Sequence, residues 1–433
     1  MSAPPRRGAL TVASSILGAG ALFLPTLAAG QGGPAAVFAW GWQCALGVPL
    51  VATIGALARA TGEAGVAGFA AAALGPRWRR PVTACYLVGF LAGQAVIALV
   101  AGTYLAGATG GGRAAAYGLG ALALAAAAVL AIAGAVPRGR ARGLISVAVA
   151  ALLVALLVRA AFAGISPARA ADAGWQDVGR TTFLLFFAFV GWERAARTRV
   201  PAVRSVLLVA LAYAGAAAVA LAPVRTSLTL VPFLAGDTAS GAGLVTAGCC
   251  AAIAVALCSA NLRTIAGLWS ELRAVVGSAS AARSSALAAV AVAGLLALEY
   301  AVGLGAMLRV PNATALFVYA LAGAAGVLVL RGRARVVAAT GLAGTVAVAP
   351  FAGWALLVPV AACAAGVALG GARSLGREVR PHLLRPEGEE RLDIGRRHER
   401  VGDGKTALER DRGHDLPGSL GDEEGALEEG RRA

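Results

Sequence analysis

The sequence predicts an all-α integral membrane protein with about 12 transmembrane helices. Its composition is typical of membrane proteins, because 58% of its 433 residues are hydrophobic, only 14% are charged and the mean hydropathy is +0.75. Apolar runs that are long enough to cross a bilayer follow one another through most of the chain. Arginines cluster between alternate runs, as expected of a chain that crosses a membrane repeatedly.

The candidate spans are apolar runs of about 20 residues, the length that crosses the hydrocarbon core as an α-helix. They are residues 9–30, 34–58, 82–107, 115–136, 143–164, 179–200, 204–223, 241–262, 284–306, 312–330, 334–349 and 350–370. Only the sequence VAPFAGW separates the last two.

The arginines orient these spans. With the N-terminus inside, the inner loops collect most of the arginines of the apolar region and the outer loops collect few. This bias predicts a multi-pass protein of the cytoplasmic (inner) membrane with both termini in the cytoplasm. It also accounts for the net charge of +16, because the basic residues alternate with spans and form no single basic face. We therefore expect the lipid bilayer as a partner and no nucleic acid.

The chemistry of residues 1–371 is restricted. They contain no histidine and no lysine, and their few acidic residues form no cluster. Membrane enzymes that use a metal or acid–base catalysis need such groups facing one membrane surface. We therefore expect no enzymatic activity, no metal site and no cofactor. The six cysteines lie in apolar stretches without CxxC spacing, and we interpret them as buried hydrophobic side chains.

The C-terminal segment, 371–433, has a different composition. It holds all 3 histidines, the only lysine and most of the acidic residues, mixed with arginine, glycine and proline. Because it has few apolar anchors, we predict a charged and largely disordered cytoplasmic tail. The alternative is a tail with a regulatory docking role.

The first span contains a helix-breaking sequence. Residues 14–30, SSILGAGALFLPTLAAG, place two glycines and a proline in the middle of an apolar run. In a helix interior glycine costs about 1 kcal/mol and proline about 3 kcal/mol relative to alanine. Lipid offers the freed backbone no hydrogen bonds, so the break either packs on neighbours through small residues such as Ser14, Gly18 and Ala19 or lines a binding site.

The sixth span contains a second candidate break. Residues 183–199, FLLFFAFVGWERAARTR, place Gly191 close to Glu193 in an apolar run. Transporters built from inverted repeats begin each five-helix half with an interrupted helix, and the two interruptions meet near the membrane midplane. Spans one and six stand in this relation. We expect the backbone at residues 18–20 to offer N–H groups to a substrate carboxylate, and carbonyls near Phe187 and Val190 to accept from its ammonium group.

Four motifs in chain order resemble one family. They are SSILGAGALFLP in the first span, TGEAGVAGFAAAALGPRW after the second, FFAFVGWE in the sixth and NLRTIAGLWSEL at the end of the eighth. Together they resemble the amino acid–polyamine–organocation (APC) superfamily of permeases, which share the LeuT-type fold. The resemblance covers about residues 9–370 and implies a 5+5 inverted repeat with broken helices 1 and 6. Residues 1–164 would form helices 1–5, residues 179–330 helices 6–10, and residues 334–370 helices 11–12.

The resemblance also implies a set of substrate-binding residues. Those that would contact the backbone end of the substrate are Ile16, Gly18, Ala19 and Gly20. Phe187 would cover the substrate as an aromatic gate, and Val190 and Gly191 would supply unwound backbone. Glu193 would lie just beyond them as a coupling or gating group. The structural alternative for Glu193 is an ion pair with Arg197, four residues further on.

The implied function is secondary active transport of amino acids, most like that of bacterial exporters of neutral and hydrophobic amino acids. The two breaks are lined mainly by apolar residues, so a neutral, apolar substrate fits best. The alternatives are a non-transporting membrane sensor of amino acids and a transporter of another small amine or organocation.

The sequence predicts the coupling ion less directly than it predicts the substrate class. Some relatives use a lysine of the fifth span as proton acceptor, but the only lysine here is Lys405. Ser259 and Asn261 do not form the hydroxyl pair that a sodium site needs. Proton coupling through Glu193, or simple exchange, remains. Glu299 in the ninth span is the other acid within an apolar run, and it either has a function or reaches the outer surface.

Overall fold

The computed structural model describes residues 19–163, 174–189, 214, 216–217, 240–273 and 281–378. In these ranges every regular element is a helix and none is a strand. The chain divides into two units, Met1–Arg380 and Pro381–Ala433, and all described residues belong to the first. The prediction of an all-α fold is confirmed.

The α-helices of the described ranges are, in chain order, α1 (Leu24–Gly32), α2 (Ala35–Thr61), α3 (Val66–Leu74), α4 (Arg79–Ala108), α5 (Arg113–Ala133), α6 (Gly139–Ala163), α7 (Trp175–Leu184), α8 (Gly241–Arg273), α9 (Ala281–Val302), α10 (Leu304–Val329), α11 (Gly332–Val346) and α12 (Leu357–Glu378). Short 3₁₀ segments lie at Ala19–Leu22, Pro76–Trp78, Leu185–Phe189 and Ala349–Leu356.

Seven helical stretches in the described residues are long and apolar enough to cross a membrane. They are Ala35–Thr61, Pro76–Ala108, Arg113–Ala133, Gly241–Leu272, Ala281–Val302, Leu304–Val329 and Ala349–Ala368. The protein is therefore a multi-pass α-helical membrane protein. The predicted spans 9–30 and 179–200 are described only in part, and the span 204–223 lies almost wholly outside the described residues.

The boundary between the ninth and tenth spans differs from the prediction. The sequence predicts spans at 284–306 and 312–330, whereas α9 ends at Val302 and α10 begins at Leu304. Gly303 between them has a φ of 86°, a left-handed conformation that glycine adopts at little cost. Pro311 lies inside α10, where the helix loses one backbone hydrogen bond but continues. Gly303, and not the proline, therefore sets the turn.

The last two predicted spans also have different bounds. The helix α11 stops at Val346, and the 3₁₀ segment Ala349–Leu356 leads into α12. Gly353 within that segment has a φ of 56°, so the chain bends there at a residue without a Cβ. The helix α12 continues to Glu378, beyond the predicted start of the tail at residue 371.

The helix α4 lies at the centre of the described bundle and packs against α5, α8, α9, α10 and α12. In the apolar 18-residue stretch of its span, 72% of the residues are buried inside the protein, compared with 33% in α5 and 28% in α9. It approaches α5 so closely that a Cβ on Gly102 would collide with the carbonyl oxygen of Ala116. The outer helices α5 and α9 instead expose Leu122 and Val290. Lipid-facing helices have such apolar surfaces.

Candidate functional site

Two apolar stretches lose α-helical geometry at the predicted breaks. The chain forms a 3₁₀ turn at Ala19–Leu22 before α1 begins, and α7 changes into 3₁₀ turns at Leu185–Phe189. Pro25 lies in the first turn of α1, where its missing N–H removes no helical hydrogen bond and its fixed φ suits the helix. Both 3₁₀ segments lie at the edge of a described range, and the remaining residues of the two predicted breaks, up to residue 18 and from residue 190, lie outside the described residues.

The side chain of Phe187 joins the two breaks. Its ring lies edge-on to Phe23, with ring centroids 5.6 Å apart and planes inclined by 66°. A Cβ on Gly20 would lie 3.2 Å from Cδ1 of Phe187, and a Cβ on Gly93 of α4 would lie 3.2 Å from Cε2. The ring is therefore held between two glycines, and Phe187 is 7% exposed. We call the segments Ala19–Leu22 and Leu185–Phe189, with this ring between them, the break junction.

Three side chains from α2, α4 and α10 donate hydrogen bonds to backbone carbonyls at the break junction. Tyr104 Oη donates to the carbonyl of Leu22 at 2.6 Å. Gln43 Nε2 donates to the carbonyl of Thr182 at 2.9 Å. Asn312 Nδ2 donates to the carbonyl of Leu184 at 3.0 Å. All three donor side chains are buried.

These hydrogen bonds explain how the end of α7 is tolerated in an apolar environment. The last carbonyls of a helix have no partner within the helix, and an unpaired buried polar group costs about 1–3 kcal/mol. Lipid offers no replacement donor, so neighbouring helices must supply one. The carbonyls of Thr182 and Leu184 belong to the last turn of α7, and the two amides satisfy them.

Two acceptor atoms remain beside these bonds. The amide oxygens Oε1 of Gln43 and Oδ1 of Asn312 have no hydrogen-bond partner among the described residues. Both residues are almost fully buried, with exposed fractions of 0% and 1%. A buried amide that donates to the backbone and keeps a free oxygen can accept a hydrogen bond from a ligand ammonium group or a water molecule.

A cavity of about 170 Å³ lies next to the break junction and is lined by Leu184, the residue before Leu185, and by its hydrogen-bond partner Asn312. Its walls come from the end of α1, from α7, from the start of α10 and from the segment Ala349–Leu356. Its charged lining residues are Asp177, Arg180 and Arg309. The wall therefore carries two positive charges and one negative charge. Arg180 Nη1 lies 3.7 Å from Oδ1 of Asp177, so these two charges form an ion pair.

No family model matches this chain, and no curated protein matches it. The resemblance to APC permeases therefore depends on the sequence motifs given above. The case for a function has to be made from the break junction itself, from its backbone, its ring and its buried amides.

The structure brings two of the predicted site residues into contact and sets a third beside them. Gly20 lies against the ring of Phe187, and Ala19 belongs to the same 3₁₀ turn as Gly20. The other predicted site residues lie outside the described residues: Ile16, Gly18, Val190, Gly191 and Glu193. Arg197, the alternative partner of Glu193, also lies outside them.

The sequence patterns did not predict the three side-chain donors next to the 3₁₀ segments. Gln43 is a single polar residue inside an apolar run, which was an available signal, whereas Tyr104 follows Thr103 and Asn312 is the first residue of the predicted tenth span. Of the two residues considered for sodium, Ser259 donates to the carbonyl of Ala256 within its own helix. Asn261 donates to Oε1 of Gln94 on α4 at 3.2 Å. Both polar groups thus take part in bonds within and between α8 and α4.

Proposed function

We propose that this protein is a secondary active transporter of neutral and hydrophobic amino acids that works by alternating access across the cytoplasmic membrane. The observation that carries the proposal is the break junction, where two non-α segments of different spans meet at one aromatic ring. Irregular backbone at membrane depth occurs where protein surrounds it or where it lines a cavity. Transporters with inverted repeats bind their substrates at such paired interruptions.

The two half-helices would bind the two charged ends of an amino acid. The helix α1 begins at Leu24, so the N–H groups of Leu24 and Thr26 precede its first helical bond, which runs from the N–H of Leu27 to the carbonyl of Phe23. The helix α7 ends at Leu184, so its last carbonyls lie at the break junction. A helix N-terminus favours an anion and a C-terminus favours a cation. The substrate carboxylate would bind near residues 20–24 and its ammonium group near residues 184–187.

The surroundings of the junction favour an apolar substrate side chain. The ring of Phe187 contacts Phe23 and lies beside Gly20 and Gly93, and the side chain of Pro311 is adjacent to the same site. None of these groups can pair with a second charge. Burying an unpaired charge is costly, so dibasic and acidic amino acids would bind poorly.

Phe187 would act as the gate. Its ring fills the slot between Gly20 and Gly93, so a substrate can reach the backbone of both breaks only when the ring turns away. The neighbouring cavity lined by Leu184 and Asn312 would be an access route to the junction. Under the positive-inside orientation this cavity lies toward the outer side of the membrane.

The wider architecture in this proposal is the LeuT-type 5+5 inverted repeat of the APC superfamily. The helices α1 and α7 would then be parts of the first helices of the two halves, residues 1–164 and 179–330, with residues 334–370 forming helices 11 and 12. Both termini would be cytoplasmic. Transport would be coupled to protons through an acid within the membrane, for which the motif resemblance implies Glu193, or would proceed by exchange.

The experiment that tests the proposal uses the purified full-length protein. A thermal-shift screen against the twenty amino acids should give stabilisation by neutral, apolar ones, because a ligand at 100 times its Kd stabilises the native state by about 2.7 kcal/mol. The amino acids that stabilise the protein are then tested for counterflow in proteoliposomes. Stabilisation without flux would indicate a sensor. An absence of both stabilisation and flux for all twenty would overturn the proposal.

A further inference from the structure

Glu299 is a fully buried acid in a membrane-spanning helix. It lies on the inner face of α9, in register with Val292 and Leu296, and its exposed fraction is 0%. Neither carboxyl oxygen has a hydrogen-bond partner in the part of the chain that the structure describes. The expectation that this residue reaches the surface is therefore wrong for the described conformation. Acids within membrane spans are rare and mostly functional.

A cation lies close by but is engaged elsewhere. Arg113, in the first turn of α5, donates to the backbone carbonyl of Tyr300, the residue that follows Glu299. Its guanidinium carbon lies 4.8 Å from the ring centroid of Tyr300 and 5.7 Å from that of Tyr117. The two tyrosine rings meet edge to face, with centroids 4.9 Å apart. We call Arg113, Tyr117 and Tyr300 the α5–α9 cluster.

The other helices that pack against α9 bring no second cation to Glu299 in the described ranges. The titratable and charged groups at this end of the neighbouring helices, besides Arg113 and Tyr117 of α5, are Tyr104 of α4, Cys249 and Cys250 of α8, and Arg309 of α10. Arg309 lines the cavity beside the break junction. No salt bridge to Glu299 occurs among the described residues, whose ion pairs are Arg79 with Glu63 and Arg180 with Asp177.

This arrangement constrains the charge of Glu299. An ionised carboxylate in a low-dielectric interior is stable only when it is paired and hydrogen-bonded, and otherwise the group takes up a proton. Here it has neither an ion-pair partner nor a hydrogen-bond donor among the described residues. The α5–α9 cluster lies beside it, and Arg113 in this cluster is exposed on the protein surface. The neighbourhood therefore has an occluded acid next to an exposed cation.

We propose that Glu299 is a proton-binding site of the transporter, neutral in the described conformation and deprotonated when α9 moves against α5. In the second state the O–H bond of the carboxyl breaks and the proton goes to water at the exposed α5–α9 cluster. Arg113 exchanges the carbonyl of Tyr300 for the new carboxylate. The coupling part of this inference rests on the proposed transport function, whereas the protonation state does not.

The protonation state is tested by infrared spectroscopy of the full-length protein in liposomes. At neutral pH the wild type should show the carbonyl stretch of a neutral carboxylic acid in a site without hydrogen bonds. Glu299→Gln should abolish that band and Glu299→Asp should shift it, whereas Glu271→Gln, at an exposed acid of α8, should leave it unchanged. A wild-type spectrum without the band, or a band that Glu299→Gln does not alter, would overturn the proposal.

The coupling role is tested by transport in proteoliposomes. A single titrating group can change net uptake by up to about tenfold per pH unit, and in Glu299→Gln this dependence should shrink to within about twofold while counterflow persists. Glu271→Gln should retain the wild-type pH profile. An unchanged pH profile in Glu299→Gln would refute the coupling role. If the transport proposal itself is wrong, the wild type will neither bind nor transport any amino acid, and this outcome is distinct from an unchanged pH profile.

Discussion

The break junction and the Glu299 region are both buried polar places in an apolar protein, but they are built differently. At the junction, Gln43, Tyr104 and Asn312 each donate a hydrogen bond to a backbone carbonyl in or next to a 3₁₀ segment. Glu299, on α9, has no such partner in the described structure. The first arrangement stabilises an irregular backbone, whereas the second contains a buried carboxyl group that is stable only while it is neutral. The difference separates polar residues that hold the structure from one that is available to titrate.

The largest effect is expected from filling the junction. A Cβ on Gly20 would already lie 3.0 Å from Cδ1 of Leu24 and 3.2 Å from Phe187, so Gly20→Leu must displace the ring and occupy the space of the substrate. Amino-acid flux in proteoliposomes should fall to background while the protein still folds and inserts. Gly107→Leu is the control, because the space around Gly107 on α4 is open. Wild-type flux in Gly20→Leu would show that the junction is a packing feature.

Replacement by leucine should affect the stability of the protein differently in the two regions. Asn312→Leu leaves the carbonyl of Leu184 without its donor and should destabilise the protein by about 1–3 kcal/mol. Glu299→Leu removes an unpartnered buried acid and should be neutral or stabilising, since an apolar side chain has no polar group to desolvate. Denaturant unfolding in detergent measures both. A loss of stability in Glu299→Leu as large as that in Asn312→Leu would abolish the distinction.

A smaller effect is expected from narrowing the space that holds the Phe187 ring. Gly93→Ala adds a methyl group 3.2 Å from Cε2 of Phe187, which restricts the ring without filling the junction. We expect a several-fold slower flux, corresponding to about 1 kcal/mol in the barrier for moving the ring. Gly107→Ala lies on the same helix in open space and should transport at the wild-type rate. Equal rates in the two variants would mean that the Phe187 ring does not move during the cycle.

The smallest effect concerns Glu299 at acidic pH. At about pH 4 the carboxyl is largely protonated in both the folded and the unfolded chain, so Glu299→Gln replaces one uncharged group by another and the unfolding free energy should stay within about 0.5 kcal/mol of the wild type. Raising the pH toward neutrality should then lower the melting temperature of the wild type more than that of Glu299→Gln, because the unfolded chain releases the proton that the folded chain keeps. Parallel pH dependences of the two melting temperatures between about pH 4 and pH 8 would contradict this.

The sequence by itself determined the class of the protein. Apolar runs of membrane length, with arginines between alternate runs, leave helices as the only way to satisfy the backbone in lipid, and the described residues form helices accordingly. Glycine and proline at residues 18–25 and the phenylalanine-rich stretch near residue 187 lie where the structure has the 3₁₀ segments Ala19–Leu22 and Leu185–Phe189. The boundary between the spans predicted at 284–306 and 312–330 was less well predicted, because Gly303 ends the helix before it and Pro311 lies within the next one.

Only the tertiary structure decided which side chains serve the breaks and which acid is occluded. Whether Asn312 reaches the carbonyl of Leu184 depends on how α10 packs on α7, and the two residues are 128 positions apart in the chain. Glu299 lies near the end of its helix, and nothing in its local sequence distinguishes a surface position from a buried one. The packing of α9 on α4, α5 and α8 buries it, because burial depends on neighbouring helices and not on hydropathy along one helix.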